Sequence, residues 1–141
     1  MTEAIRVLLV EDNPADADLT KETIEAGELQ AKVNVAIDGT DALAYLLRQP
    51  PYTNAPRPHL ILLDLNLPKM DGREVLTKIR NHPSLQKIPV VILTSSDAER
   101  DIVMSYELGA NSFVTKPVGL QAFQSIVHSI GDFWFGVVQL P

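Results

Sequence analysis

Four short apolar runs each deliver a chemically competent polar side chain at their C-terminal end. Leu60-Ile61-Leu62-Leu63 is followed by Asp64, Val7-Leu8-Leu9-Val10 by Glu11 and Asp12, Val90-Val91-Ile92-Leu93 by Thr94, and Ser112-Phe113-Val114-Thr115 by Lys116. If these runs are strands of one sheet, acids, a hydroxyl and a cation meet at its edge. Carboxylates crowded in this way repel one another, so a cation is needed to hold them ionised. Mg²⁺ suits such a site, because it takes oxygen ligands, keeps several waters and bridges readily to phosphate. Softer metals are disfavoured by the absence of cysteine and by the scattered placement of His59, His82 and His128.

With Mg²⁺ beside it, Asp64 can act as a nucleophile toward a phosphoryl group and form an aspartyl phosphate. The transferred group presents three equatorial oxygens, and catalysis of its transfer is mostly positioning and charge neutralisation. Mg²⁺, the Thr94 hydroxyl and the Lys116 ammonium would meet those oxygens in turn. Each residue taken singly has a plainer explanation. Asp64 can be a turn former, Glu11 and Asp12 can favour a helix N-terminus, Thr94-Ser95-Ser96 can cap a helix, and Lys116 can be one more exposed lysine. Four strand ends carrying the four parts of one reaction favour the joint reading.

The elements that must position these residues follow an alternation of apolar runs and helical periodicity, the pattern of a parallel sheet covered on both faces. A strand at Ile5 to Val10 leads to Asn13-Pro14, a helix start, and Gly27 is a helix stop. Lys32 to Ile37 reads as the second strand. A helix from about Gly39 carries Leu43, Leu46 and Leu47 on one face and ends before Pro50-Pro51, with a proline-rich loop from Arg48 to Pro58. After Asp64, a helix starts at Asp71-Gly72, buries Val75, Leu76 and Ile79, and ends at His82-Pro83. The fourth strand is Pro89 to Leu93. Ser96 and Glu99 have capping-box spacing and open a helix that closes at Gly109. A fifth strand, Asn111 to Lys116, precedes a helix whose buried face is Leu120, Phe123, Val127 and Ile130. The expected fold class is α/β, a doubly wound five-stranded parallel sheet of flavodoxin-like order 2-1-3-4-5. Such sheets bind ligands beyond their carboxyl edge where strand order reverses, here between the first and third strands.

With 141 residues, one core is expected, at about 100–200 residues per domain. The domain is placed at 1–132, followed by an apolar tail at 133–141. A formal net charge of −6 without any Lys/Arg cluster argues against nucleic-acid binding. No apolar run approaches the roughly 18 residues of a membrane span, and the N-terminus carries Glu3 rather than a basic region. A cytoplasmic protein without membrane association is expected. Asp12 to Asp18 is not an EF-hand loop, since Ala17 and Thr23 stand where glycine and glutamate are required.

Val10-Glu11-Asp12-Asn13, Leu63-Asp64-Leu65-Asn66-Leu67-Pro68, Met70-Asp71-Gly72, Leu93-Thr94-Ser95, Gly109-Ala110 and Thr115-Lys116-Pro117 together resemble the signature of the response-regulator receiver domains of two-component signalling. The resemblance runs to about Gly131. It implies that Asp64 accepts a phosphoryl group from a sensor histidine kinase. Glu11, Asp12, Asp64 and the backbone carbonyl of Asn66 would hold Mg²⁺, Thr94 and Lys116 would bind phosphoryl oxygens, and the Lys116-Pro117 peptide would be cis. It further implies that Thr94 moves toward the phosphoryl group while Phe113, at the switch aromatic position, turns inward. Phenylalanine lacks the hydroxyl many relatives carry there, so Phe113 responds through packing alone. Asn66 and Ser96 match positions that tune autodephosphorylation.

Phe133, Trp134 and Phe135 are three of the chain's eight aromatic residues. Clustered so, they mark an interaction surface or a segment folded back on its own helix. This segment and the proline-rich loop are similar to features of the small regulators paired with cyanobacterial phytochromes. That narrower resemblance implies a phytochrome kinase upstream, a protein target downstream, and a homodimer through the fourth helix, fifth strand and fifth helix. Two other classes compete. A haloacid-dehalogenase-type phosphatase also uses a strand-end Asp with Mg²⁺, but needs a general acid where Asn66 stands. A receiver-like binding module that is never phosphorylated would usually lack a site residue, and here all are present.

Overall fold

A computed structural model describes residues 4–27, 30–95, 98–117 and 119–137. Five strands and five helices alternate: β1 (Ile5–Val10), α1 (Pro14–Glu25), β2 (Ala31–Ala36), α2 (Gly39–Leu46), β3 (Leu60–Leu63), α3 (Gly72–Arg80), β4 (Val90–Thr94), α4 (Glu99–Glu107), β5 (Ser112–Thr115) and α5 (Leu120–Val137). The strands are all parallel in the order β2-β1-β3-β4-β5. The expected topology is therefore the observed one.

The central strands are buried on both faces, as a helix-covered parallel sheet requires. Leu8, Val10, Ile61, Leu63 and Ile92 face a core closed by α2 and α3, while Val7, Leu9, Leu62, Val91 and Leu93 face a core closed by α1 and α5. Alternation along the strands places the two sets on opposite faces. Among the described residues no helix is long and apolar enough to cross a membrane.

Local sequence sets the helix starts. Asn13, Asp38 and Asp71 are N-caps whose side chains accept from the backbone N–H of Asp16, Asp41 and Arg73. α4 departs from expectation: its N-cap is Ala98, without a side-chain cap bond, and Ser96 lies outside the described residues. Two residues assigned to buried faces are instead exposed. Leu47 is the C-cap of α2, rotated off its apolar face, and Leu120, 63% exposed, occupies the first turn of α5 beyond the sheet edge. The boundary placed at 132/133 falls inside α5, which continues to Val137. Trp134 carries on the Phe123, Val127, Ile130 stripe and packs on the same core, whereas Phe133 points outward.

Two arginines of α3 reach across to α4 and its exit. Arg73 forks between Asp71 and the buried Asp101 on α4. Arg80 donates to the carbonyls of Gly109 (2.8 Å), Gln86 (2.9 Å) and Ile88 (2.7 Å), and to Asn111 Oδ1 (2.7 Å).

Candidate functional site

All the strand-end residues converge at the carboxyl edge. Parallel pairing of β1 with β3 sets Val10 beside Leu63, so the residues that follow, Glu11 and Asp64, leave the sheet together. Pairing of β4 with β5 sets Thr94 beside Thr115, one residue before Lys116. The Asp64 backbone N–H donates to Val10 O at 3.1 Å and that of Lys116 to Thr94 O at 2.8 Å, extending the ladders into the site.

Asp64 is buried and fully engaged. Its Oδ1 accepts from the Thr94 hydroxyl at 2.8 Å and from the Asn66 backbone N–H at 3.0 Å, while its Oδ2 accepts from Lys116 Nζ at 3.2 Å. Thr94 has no exposed surface, and the Asn66 side-chain amide donates to its oxygen at 3.4 Å, turning the hydroxyl proton toward Asp64. The loop that carries Asn66 is braced from α3. The Gly72 N–H donates to Leu65 O at 2.9 Å, and a Cβ at Gly72 would meet Asp64 O at 2.3 Å.

Lys116 donates to Glu11 Oε1 in a very short contact, to Asp64 Oδ2, and to Asp16 Oδ2 at 3.3 Å. Burial opposes charge on the lysine, but the Glu11 carboxylate and then Asp64 and Asp16 outweigh it and push the ammonium pKa above its usual value. Burial, reinforced by the Asp64 charge, pushes Glu11 up despite the Lys116 ammonium. The pocket therefore holds more negative charge than one lysine satisfies.

Glu11, Asp12 and Asp64 each offer a carboxylate oxygen, and these atoms lie within 4.8 Å of one another. Two of the three are buried and Asp12 opens to solvent. An all-oxygen set of this charge fits a hard divalent cation, with Asp12 on the side from which water and ligand enter.

The structure thus brings together Glu11, Asp12, Asp64, Asn66, Thr94 and Lys116. Phe113 is half-buried on β5, packed against the α2–α3 core. Phe133 and Trp134 lie apart from the site on α5, with their rings edge to face. Among the described residues the cis peptide bond is Pro50-Pro51, and Lys116-Pro117 is not cis, contrary to expectation. A tertiary amide favours trans by only about 0.5–1 kcal/mol, and nothing in the Lys-Pro dipeptide itself selects the rarer form. Asp16 had been given no part in the chemistry. Its signal was positional: it is the third residue of a helix that starts directly after the acidic strand end, so it faces back toward Lys116.

The family model of the response regulator receiver domain matches residues 7–128. Response regulator Rcp1 of Synechocystis sp. is 47% identical over 135 residues, covering 96% of this chain and 92% of the relative. The crystal structure of the Mn²⁺-bound form of Rcp1 superposes with a TM-score of 0.92 at 46% identity, over 97% of this chain and 99% of that one. The phosphorylated cyanobacterial phytochrome response regulator RcpA gives 0.93 at 45% identity, over 99% of both chains.

Proposed function

Because the chain belongs to the response regulator receiver domain family, whose members accept a phosphoryl group from a histidine kinase, we propose that Asp64 is the acceptor and that its phosphorylation is the signal. One observation carries the assignment. Asp64 is the carboxylate on which the Thr94 hydroxyl, the Lys116 ammonium and the acidic pair Glu11-Asp12 converge at one sheet edge.

The reaction follows from that geometry. An Asp64 carboxylate oxygen attacks the phosphorus of a phosphohistidine. A P–O bond forms, the P–N bond breaks, and the electron pair returns to the imidazole, which takes a proton. Thr94 and Lys116 already donate to the two Asp64 oxygens. Short rotations carry both donors onto the arriving phosphoryl oxygens, where charge-assisted bonds are strongest. Glu11, Asp12, Asp64 and the Asn66 carbonyl would hold Mg²⁺, which when bound would supply the remaining neutralisation of phosphoryl charge.

Loss of the Thr94–Asp64 bond is the trigger for output. As the Thr94 hydroxyl turns to the phosphoryl group, Phe113 on the neighbouring strand repacks, its half-burial leaving it room to move. The protein turns over no separate substrate. Hydrolysis of its own aspartyl phosphate is timed by Asn66, whose backbone N–H bonds Asp64, and by Ser96, which lies outside the described residues. The upstream kinase is a phytochrome, a reading supported by the likeness to RcpA. Output is protein binding, including a homodimer through α4, β5 and α5, where Val103, Tyr106 and Phe133 are exposed.

The test is intact mass after incubation with acetyl phosphate, with and without Mg²⁺, for the native chain and Asp64→Asn. A single phosphoryl adduct that needs both Mg²⁺ and Asp64 is expected. No adduct under any condition would overturn the assignment in favour of a binding module.

A further inference from the structure

The Lys116 ammonium carries three donors, and all three are directed at carboxylates. Glu11 and Asp64 belong to the proposed site. The third acceptor, Asp16, comes from the first turn of α1 and is not among the clustered metal-ligating carboxylates. Its carboxylate is partly open to solvent, at 36% side-chain exposure, while the Lys116 side chain it contacts is 9% exposed. Asp16 is held for this contact: its backbone N–H bonds Asn13 Oδ1 at 3.0 Å, and its carbonyl accepts from the Thr20 hydroxyl at 2.7 Å.

From these contacts we infer that Asp16 is a positioning residue that competes with the phosphoryl group for the Lys116 ammonium and so sets how readily Asp64 is phosphorylated. The inference rests on the proposed role of Asp64. An arriving phosphoryl oxygen must draw a Lys116 proton that is already shared among three anions. Glu11 is buried and close and cannot be displaced without stranding a charge. Asp16, longer in contact and wetted by solvent, is the partner that yields, since its carboxylate can be rehydrated on release. It also adds negative charge beside the path of an anionic donor. Removing the carboxylate should therefore free one ammonium donor and lower repulsion, with an effect of about twofold to fivefold, the size of a part-exposed ion pair.

The experiment compares the native chain, Asp16→Asn, Lys116→Met and the double variant. Two readouts are used: the second-order rate constant for phosphorylation by acetyl phosphate with Mg²⁺, and the rate at which the Lys116 ammonium protons exchange with water, by ¹⁵N-edited NMR of the metal-free protein. Expected are faster ammonium exchange in Asp16→Asn, an increase of about twofold to fivefold in its rate constant, and a smaller increase in the Lys116→Met background, where only the lowered repulsion remains; an equal increase in both backgrounds overturns the inference. A purely structural Asp16 would lower the melting temperature and leave both readouts alone, which overturns the inference. Faster exchange with a slower reaction also overturns it, because Asp16 would then anchor the lysine rather than compete for it. Should the native chain accept no phosphoryl group, the assignment of Asp64 falls, and the inference that rests on it falls too, whereas the exchange rate still shows whether Asp16 holds Lys116.

Discussion

Gly72→Ala is the most discriminating single perturbation of the fold's hold on its site. By propensity the change should help, since alanine exceeds glycine in a helix by about 0.8–1.0 kcal/mol, and Gly72 begins α3. The surroundings oppose it. An added Cβ would lie 2.3 Å from the Asp64 carbonyl oxygen and 2.6 Å from Leu65 Cα, roughly 1 Å short of ordinary contact. Neither neighbour is the loose end of a side chain. The Asp64–Leu65 backbone and α3 must separate by about that distance, stretching the Gly72 N–H bond to Leu65 O. Overpacking of this kind costs about 1–3 kcal/mol, so the net result is a destabilised protein despite the better helix former. The chemical effect should be larger, because misplacement of a reacting group by about 1 Å can cost on the order of 10²-fold in rate. Urea melts give the first quantity, and a time course of phosphoryl adduct formation from acetyl phosphate gives the second. A Gly72→Ala protein as stable as the native one, with an adduct rate within about twofold of native, would refute the close-approach reasoning.

Thr94→Val keeps the shape of a fully buried side chain but removes its bond to Asp64. It should destabilise by about 1.5–3 kcal/mol in a denaturant melt and slow adduct formation about tenfold or more. Added Mg²⁺ or Mn²⁺ should raise the melting temperature, by the equivalent of about 2.7 kcal/mol at a hundredfold excess over Kd, and Asp12→Asn should abolish most of that shift. Tyr52 donates to Asp41 Oδ1 at 2.6 Å, and this bond pushes its phenol up to about 12. The neutral form is the favoured one, so the bond's contribution to stability is complete below the ordinary value near 10 and is lost as pH rises from there through about 12. Burial pushes the Tyr45 phenol up as well, so ultraviolet titration should show one late-ionising tyrosine fewer in Tyr52→Phe than in the native chain.

Most of the site was legible in the sequence because its residues stand at strand ends, and parallel pairing fixes which ends meet. Asn13 and Asp71 were readable as helix starts for an equally local reason, a side chain capping its own helix. Other features depend on contacts that sequence spacing does not encode. Leu120 has the right interval to join the Phe123, Val127, Ile130 stripe, but lies beyond the edge of the sheet that would cover it. α5 passes the expected boundary because Trp134 finds the same core one turn further on. Asp16 was missed because it stands in the first turn of α1 and not at a strand end, so the strand pairing that brings the other residues together does not point to it.

The two arginines of α3 give α4 the mechanics of a door. At one jamb Arg80 grips the helix exit through two bonds, to Gly109 O and Asn111 Oδ1, while its two bonds to Gln86 O and Ile88 O anchor it to the segment between α3 and β4. At the other, Arg73 is a latch on Asp101, held also by Asp71 from the loop that follows Asp64. The opening end of α4 also lacks a side-chain cap. A swing of this helix that pivots near its Gly109 exit would reach the exposed Val103 and Tyr106 as a change of angle, not a change of place.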